Sequence, residues 1–97
     1  MKTIEEAKQI LQRHKPTIKS KYQVKKIGIF GSCLRGEQRK ESDVDILVEF
    51  SRPVGFFTFL DLQDYLEEKL ENKVDLVTKK ALKPNIGKQI LQEVLFV

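Results

Sequence analysis

The sequence of 97 residues has little of several things that would direct its reading. It holds one cysteine, Cys33, which excludes an internal disulfide and fits a reducing compartment. One histidine, His14, stands far from that cysteine, so no zinc-ligand spacing exists. No run approaches the roughly 18 consecutive apolar residues of a membrane helix. The start, Met1-Lys2-Thr3-Ile4-Glu5-Glu6, lacks a secretory signal's apolar core. A membrane is therefore not an expected partner, and the expected location is cytoplasmic. There is no tryptophan and there are two tyrosines, which leaves no aromatic surface for stacking single-stranded nucleic acid. Nucleic acid is thus not the expected main partner. Neither a G-x-x-x-x-G-K-[ST] nor a G-x-G-x-x-G motif occurs.

What is present reads as one globular domain over residues 1–97, with 40% apolar and 33% charged residues. Lys and Arg number 18 against 14 Asp and Glu, a net charge of +4 that suits anionic partners such as nucleotides. Thr3 and Glu6 form a capping box for a first helix, with Ile4, Ala7, Leu11, His14 and Ile18 on its apolar stripe. Pro16 is expected to kink that helix or end it early, and His14 to be packed or half-buried. Val24 to Phe30 reads as a strand ending in the turn Gly31-Ser32, followed by a short helical turn at Cys33 to Gly36 and a polar loop, Glu37 to Ser42. Asp43 to Phe50 alternates as a strand, with Asp43, Asp45, Leu47 and Glu49 on one face.

A second helix is expected from about Phe56 to Glu71, with Phe59, Leu62, Leu66 and Leu70 facing inward. The phenylalanines at 56, 57 and 59 read as core. Lys73 to Thr78 gives a third strand, and Leu82, Ile86, Ile90 and Val94 mark a last helix with Pro84 in its first turn. The apolar end Val94-Leu95-Phe96-Val97 suits either the core or a partner. This order is an α/β (α+β) domain: a small sheet covered by helices.

Two carboxylates two residues apart on a strand share a face and repel unless a cation lies between them. Asp43 and Asp45 in that arrangement suit magnesium, a hard ion that also takes phosphate oxygens from substrate. The plain alternative is an acidic solvated edge. Asp75, inside Val74-Asp75-Leu76-Val77, would be costly to bury without a partner, and if its strand adjoins the first, three carboxylates meet. For Asp75 the alternative is a strand-end residue satisfied by backbone amides. Such a set is what two-metal nucleotidyl transfer requires. A glycine after a strand, as at Gly31, lets the backbone approach a phosphate closely, and Ser32 adds a hydroxyl donor. Arg35 could meet phosphate or pair with a carboxylate.

Gly31-Ser32-Cys33-Leu34-Arg35-Gly36, a polar loop and Ser42-Asp43-Val44-Asp45-Ile46-Leu47-Val48 together resemble the signature of the minimal nucleotidyltransferases of the DNA polymerase beta superfamily. Val74 to Thr78 resembles the third-carboxylate strand of that family, so the likeness spans nearly the whole chain. It implies the DNA polymerase beta type of nucleotidyltransferase fold, with a small mixed sheet flanked by helices. It also implies two magnesium ions on Asp43, Asp45 and Asp75, and ATP held at Gly31, Ser32 and Arg35. The function implied is AMP transfer to a tyrosine of a helical HEPN-type toxin, with this chain as antitoxin. The competing reading is a non-catalytic nucleotide-binding subunit that neutralises its partner by contact. The chain is too short for the extra helical domain of larger members, so a partner would complete the acceptor side. Homo- and hetero-oligomers both fit.

Overall fold

The computed structural model describes residues 4–31, 43–81 and 84–97. Its elements are α1 (Ile4–Tyr22), β1 (Val24–Phe30), β2 (Val44–Phe50), α2 (Phe56–Leu70), β3 (Val74–Thr78), a 3-10 turn (Lys79–Ala81), α3 (Pro84–Glu93) and β4 (Leu95–Phe96). Thr3 of the expected capping box, the Cys33–Gly36 turn, the Glu37–Ser42 loop and Leu82 lie outside the described residues.

The four strands form one mixed sheet in the order β3-β2-β1-β4. β1 runs antiparallel to β2 and to β4, while β2 and β3 are parallel, joined by α2 as a crossover. Alternation assigns Val44, Ile46 and Val48 to one face, which α1 and α2 cover. The core there comprises Ala7, Leu11, Ile18 and Tyr22 from α1, Leu62, Leu66 and Leu70 from α2, and Ile27, Ile29, Val74 and Leu76 from the sheet. A register shift between Val24 and Lys26 lets Val24 and Ile27 both face this core despite their odd spacing. The other face of β2 carries Asp45, Leu47 and Glu49.

Several expectations hold. His14 is half-buried and pairs with the Tyr65 hydroxyl at 3.2 Å, and Pro84 opens α3. Others need correction. α1 does not stop at Pro16 but continues to Tyr22, because Leu11 and Ile18 on either side are both anchored in the core. Helix α2 ends at Leu70, with Glu71 in the left-handed conformation at its C-cap. Phe59 packs against the core, but Phe56 and Phe57 are 69% and 78% exposed. The C-terminal segment forms β4, a short edge strand the sequence pattern did not indicate.

The outer edge of β3 is blunted. Glu67 accepts the Val74 amide at 3.0 Å, and the Gln63 side-chain amide donates to the Val74 carbonyl at 3.0 Å. Two residues one turn apart on α2 thus occupy the outward groups of Val74, where a further strand would begin to pair.

Candidate active site

β1 delivers Gly31 at its end, where the chain turns with φ +78. That backbone region is open to glycine and strained for residues with a Cβ. β2 begins beside it, with Phe30 in register with Asp45. A Cβ built on Gly31 would overlap the Asp45 carboxylate oxygen and stand 3.0 Å from its Cγ. The glycine therefore leaves room for the half-buried carboxylate as well as shaping a turn.

In the parallel pair, Asp45 is the register partner of Asp75. Register partners in neighbouring strands lie roughly 4.8 Å apart and point to the same face. Asp43 immediately precedes β2, two residues before Asp45, and Val44 between them donates its amide to the Lys73 carbonyl at 2.9 Å. That bond ties the entry of β2 to the entry of β3. The three aspartates thus belong to one corner of the sheet, at the starts of β2 and β3.

The burial argument for Asp75 fails, since its side chain is exposed. Its place beside Asp45 comes from strand register. Among the described residues, no three His, Cys, Asp or Glu side chains are gathered so as to hold a metal ion as they stand. The donor chemistry nonetheless fits magnesium, which commonly takes one or two carboxylates and fills its remaining positions with substrate phosphate and water. The place that a Cβ on Gly31 would take is filled by the carboxylate that such an ion would use. Ser32 and Arg35 lie outside the described residues.

Two features escaped sequence reasoning. One is the Gly31–Asp45 proximity, which no spacing rule encodes. The other is a cavity of about 700 Å³ at the far end of β2, between the loop Ser51–Gly55 and the residues after β3. Two adjacent phenylalanines at the start of α2 were its available signal, read instead as core.

Residues 11–97 match the nucleotidyltransferase domain family. A chain of Methanocaldococcus jannaschii, provisionally named a protein adenylyltransferase, is 51% identical over 98 residues and the match covers all of both chains. The protein adenylyltransferase MntA of Thermococcus cleftensis is 45% identical over all of this chain and 98% of its own length. Among solved structures, one provisionally described as a minimal nucleotidyltransferase superposes with a TM-score of 0.76 at 28% identity, over 92% of this chain and 93% of the other. A chain from the complex of a tri-AMPylated Shewanella oneidensis HEPN toxin with its MNT antitoxin shares the fold. There the TM-score is 0.65 at 19% identity, over 91% of this chain and 69% of that one.

Proposed function

The chain belongs to the nucleotidyltransferase domain family and is a nucleotidyltransferase, and we propose that it moves AMP from ATP to a tyrosine hydroxyl of a helical HEPN-type toxin, acting as antitoxin. The observation that carries the reading is the in-register pair Asp45 and Asp75 beside the Gly31 turn. The names of the relatives support the adenylyl group and a protein acceptor. The complex that shares its fold supports the toxin as that acceptor.

In this proposal the acceptor oxygen attacks the α-phosphorus of ATP, the bond to the bridging oxygen breaks, and pyrophosphate leaves. Gly31 and Ser32 hold the triphosphate through backbone amides and a hydroxyl, and Arg35 supplies a cation to it. Asp43, Asp45 and Asp75 would hold magnesium, as two ions. Bound there, magnesium supplies charge neutralisation for the triphosphate and acidifies the acceptor hydroxyl. Asp75, exposed on the edge strand, is open to an incoming hydroxyl and takes up its proton. Positioning contributes much of the rate in such transfers. In this reading the toxin brings its own tyrosine to that half of the site.

The test incubates the chain with α-labelled ATP, magnesium and a helical HEPN-type toxin. Label on the toxin that vanishes with Asp45→Ala supports the reading. Absence of label, with Asp45→Ala still neutralising the toxin, would replace it by neutralisation through contact.

A further inference from the structure

The cavity at the far end of β2 is unused by the chemistry above. Phe50, Val54 and Phe59 give it an apolar lining, and Phe56 stands at its lip. Phe57 lies beside Phe56, their rings 6.1 Å apart and tilted by 60°. At 69% and 78% exposure, this pair forms an apolar projection that monomeric soluble surfaces seldom carry without a use. The rim is basic. Arg52, Lys79 and Lys80 line it against one acid, Glu49, which already pairs with Lys79 at 3.9 Å, leaving Arg52 and Lys80 as surplus positive charge.

We infer that this groove docks an acidic amphipathic helix of the acceptor protein, its apolar side chains entering between Val54, Phe56 and Phe59 and its carboxylates meeting Arg52 and Lys80. Two observations select that occupant. The surplus positive charge at the rim calls for an acidic ligand. A concave apolar groove takes the i, i+3, i+4, i+7 anchors of a helix, whereas membrane-surface binding relies on projecting side chains rather than a hollow.

From Asp45 to Phe50 the strand advances roughly 16 Å, about the length of an eleven-residue helix. Docking in the groove is therefore remote from the reacting atoms, and its binding energy would serve to position the acceptor. The identity of the occupant as the acceptor rests on the proposed function; the docking itself does not.

The test uses the full chain without nucleotide, so docking and AMP transfer succeed or fail separately. A fluorescein-labelled peptide of about fourteen residues, long enough to form a helix, carries Leu and Phe at helical spacing with glutamates on both flanks. Its control keeps the apolar face and replaces glutamate by lysine. Phosphatidylcholine–phosphatidylserine vesicles and single-stranded RNA form the remaining arms. Fluorescence anisotropy should show the acidic peptide binding. Phe56→Ser, and separately Lys80→Glu, should each weaken it about tenfold or more, as loss of an interface anchor does. Both residues are exposed, and circular dichroism of each variant confirms its fold. The inference is overturned by equal binding of the lysine peptide or by variants that bind the acidic peptide unchanged. Vesicles or RNA that bind where the peptide does not would overturn it too, assigning the face to lipid or nucleic acid.

Discussion

Gly31 and Asp45 are packed so closely that the space a Cβ on Gly31 would fill is taken by the Asp45 carboxylate. With φ at +78, the glycine also holds a backbone conformation that costs any other residue about 1–2 kcal/mol. Gly31→Ala should therefore displace the carboxylate as well as strain the turn. A misplacement of about 1 Å in a reacting geometry costs roughly 100-fold in rate. Initial rates of labelled AMP transfer should fall by that order, while thermal unfolding shows only a modest loss of stability. A variant with near-normal rates would show that Asp45 does not need its present position.

The register pairing of Asp45 with Asp75 predicts separable effects on activity and stability. Removing a carboxylate that holds the metal forfeits several kcal/mol of charge stabilisation, which is about 100-fold or more in rate. Asp45→Asn and Asp75→Asn should each show that loss. Asp75 is exposed, so Asp75→Asn should leave stability within about 0.5 kcal/mol of the parent. Chelation with EDTA should abolish transfer by the parent chain, and magnesium should restore it. Full activity of either variant at low magnesium would remove that residue from the site.

The sequence was most legible where periodicity and burial coincide. Leu62, Leu66 and Leu70 lie on the core side as their spacing implies, and Asp43 and Asp45 stand at the start of a strand. Legibility failed where a long-range relationship decides. Phe56 and Phe57 are apolar yet exposed on the first turn of α2. β4 is too short for any alternation to show, and it exists because Leu95 and Phe96 meet Ile29 and Gly28. The expectation for Asp75 rested on a burial cost it does not incur; strand register is what sets it beside Asp45. Of the nucleotide-holding residues read from the motif, Ser32 and Arg35 lie outside the described residues.

Pro16 lies within α1, where it removes a backbone donor and crowds the carbonyl of Gln12. The helix persists because its core residues anchor both halves, so the proline is tolerated at a cost. Pro16→Ala should stabilise the chain, by up to about 3 kcal/mol. In urea titration the midpoint should rise with an unchanged slope, the signature of altered stability without altered compactness. An unchanged midpoint would mean that the surrounding helix already accommodates the ring.

Glu67 and Gln63 guard the β3 edge, and removing the carboxylate should expose it. A hydrogen bond to a charged group contributes about 1.5–3 kcal/mol, so Glu67→Ala should destabilise by an amount near the lower figure at this half-buried position. The freed edge also becomes available for strand pairing between molecules. Sedimentation velocity should then show concentration-dependent association absent from the parent. Loss of stability without association would mean that Gln63 alone is enough to protect the edge.

Gly28 lies in the middle of β1, and an isolated glycine within a strand marks a bulge or a close backbone approach. Close approach is the reason at this position. A Cβ there would stand 2.7 Å from Val94 Cγ2, 2.9 Å from the Leu95 carbonyl oxygen and 3.1 Å from Phe96 Cα. Two of those atoms are backbone and cannot rotate away, so Gly28→Ala must push β4 from the sheet or distort β1. Displacing β4 is the easier response, because it is held by two register pairs and the bond from the Val97 amide to the Ile27 carbonyl at 3.0 Å. Overpacking of this kind costs about 1–3 kcal/mol. Hydrogen exchange should show the Val97 amide losing protection while the Val44 amide, bonded between β2 and β3, keeps its own. Retained protection at Val97 would mean that β1 yields instead, and Asp45, the register partner of Phe30 at the end of that strand, would then lose its position and the transfer rate with it.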